Sequence, residues 1–180
     1  MVTAIGLSSC DGSGWFSRRS AGPSGMLGAE NRREPSLSGN GRFLASVVEQ
    51  GGKQRVLLQE QPGGRLIPLR HLRGHEPQSS PSLSWNGRYI AAVVQQGQER
   101  VALIEDRATG NMVQIPVPAG SQPLRISLAA DGRRLALGVM QAGQMRVQVL
   151  DLAGLLEADL PGGLAVETNS GGQAGAGAPP

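Results

Sequence analysis

The groups in this sequence best suited to chemistry are one pair of histidines, a scatter of serines and two recurring sets of arginines. His71 and His75 stand four apart, the spacing that puts two metal ligands on one face of a helix. Here they flank Leu72-Arg73-Gly74, which reads as a turn, and only Glu76 stands nearby as a further donor. The segment reads as a solvated loop, and no metal site is expected. The serines include no Gly-x-Ser-x-Gly elbow to present a nucleophile, and no P-loop is present to cradle phosphates. Catalysis and a bound cofactor are therefore not expected. The arginines recur as Arg42, Arg88 and Arg133, and as Arg55, Arg100 and Arg146. Each set could form a basic rim that recognises acidic partners. The plainer reading is that strand ends need polar residues at solvent, with Glu49, Glu60, Glu99, Glu105 and Asp106 neutralising much of the charge.

Cys10 is the only cysteine, so no intrachain disulfide can form. Leu7-Ser8-Ser9-Cys10 matches the lipobox of bacterial lipoproteins, in which the cysteine becomes the lipidated first residue. Small residues at the two preceding positions let the signal peptidase reach the backbone. Val2–Leu7 supplies an apolar run, and the Gly/Ser-rich stretch after Cys10 suits a flexible tether. The run is short for a signal peptide and has no basic start, so this reading expects translation to begin upstream of Met1. The competing reading is a lone cysteine in a disordered tail.

The elements that must position these groups come from a block written three times. Its copies begin Pro35-Ser36-Leu37-Ser38-Gly39-Asn40-Gly41-Arg42-Phe43-Leu44-Ala45, Pro81-Ser82-Leu83-Ser84-Trp85-Asn86-Gly87-Arg88-Tyr89-Ile90-Ala91 and Ile126-Ser127-Leu128-Ala129-Ala130-Asp131-Gly132-Arg133-Arg134-Leu135-Ala136. The step from Gly41 to Gly87 is 46 positions and from Gly87 to Gly132 is 45. A second landmark recurs at Gly52-Lys53-Gln54-Arg55-Val56, Gly97-Gln98-Glu99-Arg100-Val101 and Gly143-Gln144-Met145-Arg146-Val147. A repeat of this length signals a propeller, solenoid or array. Each copy reads as four strands: a short first strand (36–38, 82–84, 126–129), a second at 42–49, 88–95 and 133–140, a third at 55–60, 100–105 and 146–152, and a fourth at 65–69, 112–117 and 155–160. Asn40-Gly41, Asn86-Gly87 and Asp131-Gly132 suit the left-handed positions of a two-residue hairpin turn. The second strands are apolar or small on both faces, as in Phe43-Leu44-Ala45-Ser46-Val47-Val48, and so must be covered on both sides.

Composition agrees. Gly (27) and Pro (12) are abundant, which fits many short strands and turns, and aromatics are only 3%, so the core must be aliphatic. The net charge is +3, and of the 17 basic residues all but Lys53 are Arg. The charges are spread out and no basic stripe carries interleaved aromatics, so nucleic acid is not an expected partner. Residues 1–33 and 162–180 carry too little apolar surface to offset ordering entropy and are expected to be disordered tails. The repeats occupy 34–161, as blades of about 34–75, 76–120 and 121–161.

The repeated pattern resembles the β-propeller repeat of the TolB family, a WD40-like repeat reading P-x-(W/F)-S-P-D-G-K/R-x-I-A-F. The residues that carry the likeness are Ser38, Asn40 and Gly41, then Ser84, Asn86 and Gly87, then Asp131 and Gly132, each with the following Arg and the Ala at 45, 91 and 136. The resemblance implies an all-β partial propeller of three four-stranded antiparallel blades. It further implies a non-enzymatic module of the bacterial cell envelope that faces the periplasm, binds envelope proteins and has a link to the Tol system. Three blades are fewer than closed propellers use. The strands Phe43–Val48 and Leu135–Val139 are therefore expected at the open ends, and self-association is expected to complete the ring. A small-ligand or carbohydrate binder, and the detached propeller of a serine-peptidase-like enzyme, remain open alternatives.

Overall fold

The computed structural model of the chain describes residues 31–74 and 76–162. Among these there is no helix. Blade 1 comprises β1 (Arg32–Leu37), β2 (Phe43–Gln50), β3 (Lys53–Glu60) and β4 (Arg65–Ile67). Blade 2 comprises β5 (Gln78–Leu83), β6 (Tyr89–Gln96), β7 (Glu99–Asp106) and β8 (Asn111–Ile115). Blade 3 comprises β9 (Ser121–Leu128), β10 (Arg134–Gln141) and β11 (Gln144–Asp151). Within each sheet the strands follow chain order and every pair is antiparallel. The all-β propeller arrangement of the sequence reading is present, with one correction: blade 3 has three strands among the described residues. Residues 155–160, read from the sequence as its fourth, form no strand.

Two aliphatic layers hold the blades together. Phe43, Ala45, Val47, Val56 and Leu58 of blade 1 meet Ile90, Ala92, Val94, Val101 and Leu103 of blade 2. The other face of blade 2, with Tyr89, Ala91, Val93, Ala102 and Ile104, meets Leu135, Leu137 and Val139 of blade 3. β6 is therefore buried on both faces along Tyr89–Val94. Each such branched or aromatic side chain contributes roughly 1.5–3 kcal/mol on burial. Phe43, Ala45 and Val47 of the first end strand, and Leu135, Leu137 and Val139 of the other, lie against blade 2, while the residues between them point to the outer faces, because alternate residues of a strand point to opposite faces.

The inner strands β1 and β5 are longer than the sequence suggested, because a bulge interrupts each pairing, between Arg33 and Ser36 and between Ser79 and Ser82. At the bulges Glu34 (φ 51°) and Ser80 (φ 52°) adopt the left-handed conformation, and each sends its side chain to the next blade. Glu34 Oε2 accepts the Ser80 N–H at 2.5 Å, and Ser80 Oγ accepts the Ile126 N–H at 2.9 Å. Serine hydroxyls add a second rung: Ser36 Oγ accepts the Leu83 N–H (3.2 Å) and Ser82 Oγ the Leu128 N–H (2.8 Å). These bonds fix the blades at the inner strands, while the aliphatic layers fix them further out.

The turns between first and second strands also differ from the sequence reading. Gly41 N–H donates to Ser38 O, Gly87 N–H to Ser84 O and Gly132 N–H to Ala129 O. Only the glycines have positive φ, 72°, 65° and 75°; Asn40, Asn86 and Asp131 do not take a left-handed conformation. Their side chains act as acceptors instead: Asn40 Oδ1 holds the Arg42 N–H (2.9 Å) and Asp131 Oδ1 the Arg133 N–H (3.0 Å). Such Asx contacts stabilise a turn without left-handed backbone at the Asx residue.

Candidate functional site

Three regions position groups that could recognise a partner: the rim carrying the Asn/Asp-Gly turns, the opposite rim carrying the two-residue turns, and the far face and edge of blade 3.

On the first rim Arg42 and Arg88 are each clamped by an acid of their own blade. Arg42 donates to Glu60 through Nε (2.9 Å) and Nη2 (2.7 Å), and Arg65 of β4 holds the other oxygen of the same carboxylate. Arg88 forks onto Asp106 (3.1 and 2.9 Å) and reaches Glu157 (2.7 Å). The acids recur because Phe43 pairs with Glu60, Tyr89 with Asp106 and Arg134 with Asp151. Arg42 pulls the Glu60 carboxyl below its ordinary range, aided by Arg65. Burial pushes Asp106 up, but hydrogen bonds from Arg88 and the Ala108 N–H outweigh it and the net direction is down. The Arg42 guanidinium also lies 5.2 Å from the Phe43 ring centre, and Arg88 5.0 Å from that of Tyr89. Arg133 is placed on the same rim and is also engaged.

The second arginine set does not share one register. Val48 pairs with Arg55, Val94 with Val101 and Val139 with Arg146. Val101 thus stands where Arg55 and Arg146 stand in the other blades. Arg100 pairs with Gln95, one residue away, and a one-residue step turns a strand side chain to the opposite face. The two-residue turns are Gly51-Gly52, Gly97-Gln98 and Ala142-Gly143, so Gly97 matches Gly51 and Gly143 matches Gly52. The sequence carried the signal: the step from Gly52 to Gly97 is 45 and from Gly97 to Gly143 is 46, the reverse of the order at the first landmark.

Two buried carboxylates outside any repeat motif organise the connections. Glu105, 2% exposed, accepts the N–H groups of Arg70 (2.7 Å), His71 (2.7 Å) and Leu72 (3.1 Å), and so holds the link between blades 1 and 2. His71 Nε2 lies 2.8 Å from Gly110 O. Its partner in the sequence, His75, lies outside the described residues, as does Cys10. Asp159, 5% exposed, accepts from Ser84 Oγ (2.5 Å), Asn86 N–H (2.8 Å) and Asn86 Nδ2 (2.9 Å), while its own N–H donates to Asp131 O (2.8 Å). Leu152 and Leu156 join the core beneath it. The segment after β11 therefore straps the turns of blades 2 and 3 together. No spacing rule flags Asp159; its role arises only where the chain returns to the rim.

At blade 3 the docking pattern continues with nothing opposite it among the described residues. Val47 pairs with Val56, Val93 with Ala102 and Gly138 with Val147; Ala45 pairs with Leu58, Ala91 with Ile104 and Ala136 with Val149. The first two of each series are buried against the next blade, whereas Val147 is 74% and Val149 69% exposed. Met145 is also exposed, and Ser127, the counterpart of Ser36 and Ser82, faces solvent.

Three antiparallel blades in register, docked by aliphatic faces around adjacent inner strands, define a β-propeller of the TolB-like class. The chain belongs to the family of the Lipoprotein LpqB beta-propeller domain, whose model matches residues 18–178. Among solved structures it is similar to TolB from Acinetobacter baumannii at 18% identity and TM-score 0.56, over 69% of this chain and 30% of that one. It is equally similar to a putative TolB from Agrobacterium tumefaciens, at 18% identity and TM-score 0.56, over 72% and 46%. The β-propeller domain of the Trilobed protease from Pyrococcus furiosus matches at 13% identity and TM-score 0.53, over 73% and 42%. At these identities the likeness is one of fold, and the chain spans less than half the length of each of these proteins. No curated protein matches the sequence.

Proposed function

We propose that the chain is a non-enzymatic protein-interaction module of the bacterial cell envelope, facing the periplasm and tethered to the membrane by lipid on Cys10. The observation that carries the interaction role is the end of blade 3, left open among the described residues, where Val147 and Val149 repeat a docking register that is buried in both other blades. Membership of a lipoprotein propeller family and the Leu7-Ser8-Ser9-Cys10 motif support the envelope location and the lipid. Rigid blades would hold partner-reading loops on two rims, with the Arg–acid clamps keeping the first rim in shape. A role beside the Tol system is the pathway this reading favours.

The test uses the full-length product of the gene in its own bacterium. Labelled fatty acid should enter the protein, and Cys10→Ala should abolish the label and release the protein from the membrane fraction. A photo-crosslinking residue at Gln98 should give adducts with envelope proteins. A cytosolic, unlabelled protein giving no envelope adducts would overturn the proposal.

A further inference from the structure

We propose that the free edge of β11 takes up an extended segment of a partner protein as the fourth strand of blade 3, and that this segment reads basic–x–aliphatic–x–aliphatic. The inference deepens the interaction-module reading and rests on it.

The third strand of each other blade is covered: β3 by β4 and β7 by β8. β11 hydrogen-bonds only β10 among the described residues, and residues 155–160, which follow it, form no strand, Asp159 being pinned on the rim. An edge strand is usually blunted by proline, by a bulge or by several charges. β11 has an unbroken register of eight pairs with β10, no proline, and Arg146 and Asp151 as its charged residues. Its N–H and C=O groups on the open side are thus a template for strand addition, in which backbone bonds give affinity and alternate side chains give selectivity.

The chain itself supplies the code. Glu60, Asp106 and Asp151 are equivalent, as are Leu58, Ile104 and Val149, and Val56, Ala102 and Val147. In blade 1 the fourth strand sets Arg65 opposite Glu60 and Ile67 opposite Leu58. In blade 2 it sets Asn111 opposite Asp106, Val113 opposite Ile104 and Ile115 opposite Ala102. Carried to blade 3, both blades call for branched aliphatics opposite Val149 and Val147, running antiparallel to β11, and the pairing of blade 1, with the charge of Asp151, calls for a cation opposite that residue. Cross-strand pairs of this kind contribute roughly 0.2–1 kcal/mol each. Val147 and Val149 would then gain aliphatic cross-strand neighbours on the face that, at their equivalents, meets the next blade.

The probe is a synthetic peptide, SRLVQIS, added at millimolar concentration to the isotope-labelled full chain. The expected result is shifted and exchange-protected amides at alternate positions of β11, with β4 and β8 unmoved. Val147→Asp should weaken binding at least tenfold without lowering the melting temperature. Asp151→Arg should weaken SRLVQIS and favour SELVQIS, a charge swap that mere apolar sticking would not produce. Overturning results are a peptide that leaves the β11 amides unmoved, or binding indifferent to both substitutions. So is a β11 already protected in the free chain, whether by another part of the chain or by a second copy. Rim cross-links that persist in those cases would leave the interaction-module reading standing.

Discussion

The carboxylate of Asp159 replaces water with three protein donors while being almost fully buried. Truncating it strands a serine hydroxyl and an amide N–H at the joint of blades 2 and 3. Asp159→Ala should therefore cost about 2–3 kcal/mol in urea unfolding, with Asp159→Asn intermediate. An opposite sign is expected at Ala142, which holds φ 48° in the β10–β11 turn, a conformation that strains a residue with a Cβ. Ala142→Gly should raise stability by ~0.5 kcal/mol, since the strain relieved slightly exceeds the entropy glycine adds to the unfolded chain. The turn glycines are a controlled comparison. Gly41 and Gly87 share a positive φ, but a Cβ at Gly41 would meet nothing within 4 Å, whereas one at Gly87 would stand 2.7 Å from the Phe43 ring. Gly41→Ala should cost about 1 kcal/mol from backbone strain alone, and Gly87→Ala clearly more, measured side by side by thermal unfolding.

Blades 1 and 2 clamp the end of the third strand to the turn before the second, and those clamps give the fold a pH dependence of defined sign. The Glu60 and Asp106 carboxyls are both held below their ordinary values when folded. A carboxyl with a lowered folded pKa contributes stability above its unfolded pKa, and that contribution is lost as pH falls through the folded value. Stability should thus drop as the pH passes below about 4, and a Glu60→Gln/Asp106→Asn variant should be weaker at neutral pH with a shallower acid slope. Denaturant midpoints across pH 2–7 would check both. The strands themselves were legible because β6 and its counterparts are apolar on both faces, a pattern that only two-sided burial explains. The bulges at Glu34 and Ser80 were not, because a left-handed serine or glutamate has no local signature; the next blade's inner strand stabilises it. The register of Arg100 was legible only in the order of the 45- and 46-residue steps.

Over the whole molecule, equivalent positions differ in energy according to what lies opposite. Leu58 and Val149 occupy one register, but Leu58 is 1% exposed and Val149 69%. Leu58→Ala should cost about 2–5 kcal/mol, and Val149→Ala less than about 0.5 kcal/mol, read as midpoint shifts in denaturant at constant slope.

The sequence by itself determined the blade. Its period, its Gly-containing turns and its doubly apolar second strands follow from φ/ψ preferences and from side chains alternating every second residue, and both are local. The same local rules set an acid at the end of each third strand and an arginine after each first turn. Tertiary structure alone decided what those residues do. It paired Arg42 and Arg88 with acids 18 residues away, brought Asp159 back across 73 residues to Asn86, and kept residues 155–160 from joining β11. Contacts at such separation depend on where whole sheets come to rest against one another, and a repeat records the shape of a sheet without recording its neighbour.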